Sequence, residues 1–407
     1  MAIDWYEESL KHKGLGEQYG EIKTKDLYSE DHGTITDILI RPEYREVTCL
    51  ADFFKVLKEI HTEHEESKQG DSKNWGSLFL YRGQGNLNYT YTPSIVRSSK
   101  DLVREHLLCK ELHRRFFDLF DNCKYMMEEE CLMQHFGLGA RVMDLLEHPL
   151  IALWAACETE SNKEFKDTYG EVSVWCLDDY WEELKTYDSS TVSVIANTAK
   201  MEDKFILGNL ENAFIKEQPT LRRDFIYLKD VLRRTAIVLP KFNNQRIKNQ
   251  QSAFAVINLN ELIDENHDFE RKFGVSVEKF SDYIMNAEVI NKSKGTEFQY
   301  PNVARLREGK HTLVGADFSN LTSWDLVFRK LTPSEAPYVD SFDLYKYLYK
   351  GQNATEKEWH PVTIVVPPKY KADIEKELKY LNITEAFIYP EIDKVALELK
   401  KTYGLGI

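Results

Sequence analysis

Leu78-Phe79-Leu80-Tyr81-Arg82-Gly83-Gln84 is the stretch on which the fold turns. A short apolar run closes on an arginine, and the turn Gly83-Gln84-Gly85-Asn86 follows at once. The pattern reads as a buried strand, too short for a helix and bounded by turn-forming residues. A strand-borne arginine followed by glycine sets a guanidinium where the backbone can be closely approached, which suits bidentate phosphate contact. The competing reading is a structural arginine paired with a carboxylate. The heptapeptide alone leaves both open.

Outward from that strand, Thr48 reads as the N-cap of a helix running through Phe53, Phe54, Val56, Leu57 and Ile60. After Pro93 an amphipathic helix is expected over residues 101–120, burying Leu102, Leu107, Leu108, Leu112, Phe116 and Leu119. Another covers 124–135 and stops at Gly137 and Gly139. Pro149 suits the first turn of a helix to Ala156 that is apolar nearly all round, hence central. Strands are expected at 34–40, 170–177, 235–240, 253–257, 362–366 and 385–389, with a polar turn over 241–250. Helices are expected over 371–381 and from Glu391 onward.

Residues 261–358 are charged, rich in Asn and aromatics, and weakly periodic, so they read as an inserted subdomain or lid. Strands and helices intersperse without strict alternation. The expected class is therefore α+β, a mixed sheet with a helical N-terminal part and an inserted subdomain. Residues 1–46 form an N-terminal segment, and 47–260 and 359–407 form the two parts of the core.

The chain has 407 residues, 42% of them hydrophobic, enough for a substantial core. A net charge of −14 without long basic runs argues against a phosphate-coating surface, though not against one local basic groove. Cys49, Cys109, Cys123, Cys131, Cys157 and Cys176 show no Cys-x-x-Cys spacing, and Cys157 and Cys176 sit in apolar runs as free thiols do. No Cys/His cluster has zinc spacing, so no metal is expected. Met1 to Glu8 lacks the basic start and apolar stretch of a signal peptide, and no apolar run is membrane-length. A soluble cytoplasmic protein is the expectation.

Polar residues that could carry chemistry gather between Arg82 and Asp144. Gln134-His135 ends a helix before a glycine-bracketed loop, with Arg141 and Asp144 just beyond. The bland reading has His135 capping its helix and Arg141 paired with Asp144 or Glu147. Four polar groups so close to an apolar helix favour a site. Arg246 and Gln250 precede a buried strand and could project over one end of the sheet, although a solvated turn is the better local reading.

Together these landmarks resemble the FRG-domain family, named for a Phe/Tyr-Arg-Gly signature. The matching pieces are Tyr81-Arg82-Gly83-Gln84, Pro93-Ser94-Ile95-Val96-Arg97, Glu105, Gln134-His135-Phe136-Gly137-Leu138, Arg141, Asp144 and Pro149-Leu150-Ile151-Ala152-Leu153. Arg246, Gln250, Phe254 and Tyr389-Pro390-Glu391-Ile392-Asp393 follow in family order. The chain departs from the pattern at Gly139-Ala140-Arg141-Val142-Met143-Asp144-Leu145-Leu146, where the family commonly has Pro-Thr-Arg-Leu-Leu-Asp-Trp-Thr, and at Ser252, where Gly is usual.

The resemblance implies a component of a bacterial toxin-antitoxin or phage-defence system. The strand-Tyr-Arg-Gly element is also similar to the first motif of ADP-ribosyltransferases, where the arginine grips the phosphates of NAD. These likenesses imply an NAD-consuming toxin that modifies an intracellular nucleic acid or protein, and an antitoxin partner. Arg82, His135, Asp144 and Glu105 would then be catalytic, while Tyr81, Arg82, Gln84, Tyr91, Gln134, Arg141, Arg246 and Gln250 would hold NAD. The alternatives are a metal-independent ribonuclease using His135, Arg82 and Arg141, and a non-enzymatic ligand-sensing or partner-binding module.

Overall fold

The computed structural model describes residues 39–40, 43–68, 76–87, 89, 91–96, 101–158, 166–178, 184–219, 231–232, 235–242, 244–263, 270–271, 304–308, 311–316, 326–331, 348–349, 358–359, 361–391 and 395. Its first half runs β1 (Leu39–Ile40), β2 (Glu43–Glu46), α1 (Leu50–Ser67), β3 (Leu78–Gln84), a 3-10 turn (Ser94–Val96), α2 (Asp101–Arg115), α3 (Phe117–Phe120), α4 (Met126–His135), β4 (Val142–Leu146), α5 (Pro149–Cys157) and β5 (Gly170–Leu177). There follow β6 (Leu184–Thr186), α6 (Ser190–Asn197), β7 (Lys204–Ile206), α7 (Leu207–Phe214), β8 (Ala236–Leu239), α8 (Gln245–Gln250), β9 (Ser252–Val256) and β10 (Asn260–Ile263). The last elements are β11 (Ala304–Glu308), β12 (His311–Ala316), β13 (Val327–Lys330), β14 (Glu358–Trp359), β15 (Val362–Val366), α9 (Pro368–Tyr380) and α10 (Glu385–Ile388).

Eight strands form one mixed sheet in the order β2-β15-β5-β3-β4-β9-β8-β6. The β2–β15 and β6–β8 pairs are parallel and the others antiparallel. The fold is α+β, as expected from the residue pattern.

Strand alternation sorts the side chains onto two faces. On one face, Tyr81, Val172, Val174, Val362 and Ile364 pack under α1, α5 and α9. Farther along the same face, Val142, Val238, Phe254 and Val256 pack under α4, α6 and α7. On the opposite face, Leu80, Met143, Leu145, Trp175 and Ala255 pack with Ile95, Val96 and Leu102. One face therefore carries two helical cores, and Asp144 stands between Val142 of one and Leu146 of the other.

The expected central helix is α5, and glycine sets its height above the sheet. A Cβ added at Gly83 would lie 1.8 Å from the Ala152 carbonyl oxygen, and one at Gly170 would lie 2.0 Å from that of Ala156. The glycine beside Arg82 thus admits the backbone of α5, whereas the motif alone suggested an approaching ligand. Gly83→Ala is expected to cost at least about 2–3 kcal/mol, since neither backbone can yield without moving a buried helix; urea denaturation of the variant measures it.

Several local expectations are corrected. Cys49 is the N-cap residue of α1, and the Thr48 backbone N–H and hydroxyl both donate to the Asp52 carboxylate. The helix expected over 101–120 breaks at Phe116, and Leu107, Phe116 and Leu119 are exposed rather than buried. Residues 245–250 are a helix instead of a turn, because the Asn244 side chain accepts from the Ile247 N–H and caps it. The strand expected at 385–389 is the short helix α10, capped by Thr384 accepting from the Phe387 N–H. Parts of 261–358 belong to the core: β13 pairs with β7 and β10, Leu331 and Leu348 join the core on the Leu80 face, and Tyr349 joins that beneath α1 and α5. Of the strand expected at 34–40 only Leu39–Ile40 is described, and the helix from Glu391 lies almost wholly outside the described residues.

A charge cluster is sealed in the other core. Arg141 and Glu105 are fully buried and joined by two hydrogen bonds, from Nε at 2.8 Å and from Nη2. Arg141 Nη1 donates to Thr198 Oγ1 at 2.6 Å, and Lys330 Nζ donates to the same carboxylate at 3.1 Å. Glu130 accepts from the Arg141 backbone N–H at 2.9 Å, while burial, reinforced by Glu105, pushes its pKa up to about 8. Its folded pKa lies above its ordinary 4.5, so its stabilising share is full below 4.5 and lost as pH rises through about 8. Glu130→Gln should fold at neutral pH and lose less stability than wild type between pH 7 and about 9, whereas Glu105→Gln should cost about 3–5 kcal/mol by stranding Arg141 and Lys330. Urea titrations at both pH values compare them.

Candidate functional site

Strands β3 and β4 pair only at Tyr81 and Leu146, so the ladder opens beyond that point. Arg82 fills the opening. Its Nη1 donates to the Asp144 carbonyl at 2.9 Å, replacing the partner that the split removes. The Asp144 carboxylate, carried on the face between the two helical cores, accepts from Gln134 Nε2 at 3.2 Å. Gln134 Oε1 in turn accepts from Ser94 Oγ at 3.0 Å, and Ser94 Oγ accepts the Ala140 N–H at 3.1 Å. The Pro93-Ser94 turn thus sets the rotamer of a glutamine at the end of α4.

The next residue extends the network. Arg246 on α8 donates to the His135 carbonyl at 3.3 Å and lies over the Tyr389 ring, 4.7 Å from its centroid. His135 Nε2 is 3.4 Å from Glu391 Oε1. His135 Nδ1 and Glu391 Oε2 are buried and have no hydrogen-bond partner among the described residues. Buried polar atoms are normally satisfied, which sets these two apart from most of the interior. Burial, with Arg246 as the next cause, lowers the His135 pKa below its ordinary 6.5, and Glu391 opposes this. The imidazole is therefore neutral at neutral pH.

Arg82, Gln134, His135, Asp144 and Arg246 come together in this network, all of them half-buried. Gln250 supports it from behind: its Nε2 donates to the Ile388 carbonyl at 3.1 Å, just before Tyr389, and Asn249 holds the Phe387 carbonyl at 2.6 Å. Gln84 and Tyr91 meet elsewhere, both on Glu171 of β5, with Gln84 Nε2 at 2.9 Å. By strand alternation they lie on the face of Arg82, one pleat farther along.

Tyr81 points to the opposite face, buried, with its hydroxyl 3.0 Å from His61 Nε2. Glu105 and Arg141 belong to the sealed cluster, where neither can touch a ligand without the core opening. The structure adds Tyr389, Glu391 and Ser94, residues quoted for the resemblance but given no role from the residues alone. Their cue was the aromatic-Pro-acidic ending and the Pro-Ser pair.

The cluster makes a checkable electrostatic claim. In a histidine NMR titration, His135 should titrate below 6.5, move upward in Arg246→Gln, and move farther downward in Glu391→Gln. An unchanged midpoint in both variants would show that the three groups do not share a site.

No curated protein and no solved structure matches the chain. Residues 77–165 match the family model described as the FRG domain, a span that holds Arg82, Gln84, Tyr91, Glu105, Gln134, His135, Arg141 and Asp144 and leaves Arg246, Gln250 and Glu391 outside it.

Proposed function

We propose that the Arg82–Asp144–His135 constellation binds NAD and transfers ADP-ribose to an intracellular nucleic acid or protein, as a toxin of a bacterial toxin-antitoxin or phage-defence system would. The observation carrying this reading is a continuous chain of contacts: Arg82 donates to the Asp144 carbonyl, Gln134 holds the Asp144 carboxylate, and the neighbouring His135, with its neutral imidazole, lies beside Arg246 and Glu391. Breaking the nicotinamide–ribose bond sends the bonding pair out with nicotinamide and leaves positive charge on the ribose. A site for that reaction needs cations for the pyrophosphate and an anion near the ribose.

In this reading Arg82 and Arg246 hold the pyrophosphate, and the Tyr389 ring beneath Arg246 offers a stacking surface. Asp144, turned by Gln134, or Glu391 faces the developing cation. The acceptor then attacks the ribose carbon, and its proton passes to the lone pair of neutral His135. The acceptor class is open between nucleic acid and protein, and an antitoxin would be the natural cover for the site.

Purified protein incubated with labelled NAD and cell extract should transfer label and release nicotinamide. Arg82→Ala and Asp144→Asn should each lower transfer by about 100-fold or more, with thermal melts confirming that both variants fold. Folded wild type that neither releases nicotinamide nor transfers label removes the reading. Shortening of RNA without added NAD would replace it with a ribonuclease.

A further inference from the structure

A second constellation lies at the other end of β3, and nothing in the proposed transfer uses it. His64 sits on the last turn of α1, Cys176 near the end of β5, and Asp178 just beyond that strand. His64 Nε2 is 3.9 Å from Cys176 Sγ and 3.3 Å from Asp178 Oδ1, and Sγ to Oδ1 is 3.4 Å. We propose that His64 Nε2, Cys176 Sγ and Asp178 Oδ1 are three ligands of a zinc ion.

The distances can be compared with what a tetrahedral ion requires. With Zn–N of about 2.05 Å, Zn–S of about 2.3 Å and Zn–O of about 2.1 Å, tetrahedral ligand atoms lie about 3.4–3.6 Å apart. The three separations bracket that range, so an ion would fit with shifts of a few tenths of an ångström. The donor set of one imidazole, one thiolate and one carboxylate suits zinc better than magnesium or calcium, which take all-oxygen shells.

The surroundings hold the ligands in place. Phe79 meets the His64 ring edge-on at 5.2 Å between centroids, and Tyr349 does so at 5.9 Å. Lys68 Nζ holds the other carboxylate oxygen of Asp178 at 3.2 Å, leaving Oδ1 turned toward His64 and Cys176. Lys68 also opposes a cation, so the carboxylate's charge is partly offset there. The Asp178 side chain is 49% exposed, which gives an ion a way in. Ser77 Oγ, 2.7 Å from Nε2 and 3.3 Å from Oδ1, marks the side from which a fourth ligand would come.

A catalytic thiol is the competing reading of the same residues, and the geometry disfavours it. Cys176 and Asp178 both approach Nε2, whereas a nucleophile's base needs its orienting carboxylate on the other ring nitrogen. A cysteine thiol without a metal is mostly protonated at neutral pH. Zinc binding replaces that proton: the S–H bond breaks, the pair becomes the Zn–S bond, and the proton leaves to solvent. The imidazole binds zinc in its neutral form and adds no further proton.

The site stands about 10–17 Å from Arg82 along β3, at three to five residues of strand rise, so it ties α1 to β5 and does not enter the transfer reaction. Full-length protein stripped with a chelator and titrated with cobalt(II) should give a thiolate-to-cobalt charge-transfer band in the near ultraviolet, saturating at one ion per chain. Cys176→Ser should abolish the band, Cys49→Ser should keep it, and His64→Ala and Asp178→Asn should each weaken zinc competition, about 100-fold for His64. Asp178 is at the surface, so that variant keeps the test open if the buried ones fail to fold. Zinc should release one proton per ion and raise the melting temperature of wild type and of Cys49→Ser, but not that of Cys176→Ser. No charge-transfer band in folded wild type, a band that survives Cys176→Ser, or affinity unmoved by Asp178→Asn overturns the proposal. None of these outcomes bears on NAD.

Discussion

Two glycines under one helix set the spacing on which the site depends. Helix α5 lies so low on the sheet that carbonyl oxygens of Ala152 and Ala156 occupy the places where Cβ atoms of Gly83 and Gly170 would be. Backbone-level contact of this kind is rigid, because no rotamer change can relieve it. It fixes β3 and β5 relative to α5, and β4 runs directly into α5 through Glu147 and His148. The angle at which β4 leaves β3 is thereby constrained. The opening that Arg82 fills is a consequence of how α5 sits, which explains why an arginine and a glycine are neighbours on this strand.

The same geometry separates the two arginines that looked equivalent in the chain. Arg82 lies half-buried where the ladder splits, with its Nη1 on the Asp144 carbonyl. Arg141 begins the other arm of the split but turns inward, where Glu105, Thr198 and Lys330 surround it. A fully buried guanidinium needs such partners, since an unpaired charge there would be far more costly than the pairs are favourable. The cluster joins α2, β4, the turn after α6 and β13, elements far apart in sequence, and Lys330 comes from the stretch that read as a separate insertion.

Much of the scaffold was legible because it follows period and punctuation. The strands β3, β5, β9 and β15, and the helices α4 and α5, stand where apolar runs and Gly or Pro place them. Other elements depend on groups that no periodicity reveals. Asn244 and Thr384 turn polar stretches into short helices through one side-chain cap each, and Asp52 takes over the Thr48 donors. The site was legible as a set of residue types and not as an arrangement. Arg82, Gln134, His135, Asp144 and Arg246 are linked, whereas Tyr81, on the face of Asp144, is buried under the helices with its hydroxyl on His61, and Glu105 is consumed by Arg141. Glu391 and Tyr389 were hidden because only the sequence-distant contacts of α8 and α10, through Asn249 and Gln250, bring them to His135.

His64, Cys176 and Asp178 show the same limit more sharply. A spacing search looks for ligands close in sequence, and here the histidine precedes the cysteine by more than a hundred residues. What joins them is antiparallel pairing, which sets Leu78 opposite Leu177 and so brings Ser77 next to Asp178. Helix α1 then lays His64 over the same corner through Phe53, Val56, Leu57 and Ile60. One strand consequently carries different chemistry near its two ends: a guanidinium on the Asp144 carbonyl past the single pair to β4, and a converging set of soft and hard donors where Leu78 pairs with Leu177. Both ends rest on the β3–β5 register, so a change in that register would disturb both together, while a change at either cluster alone should leave the other intact.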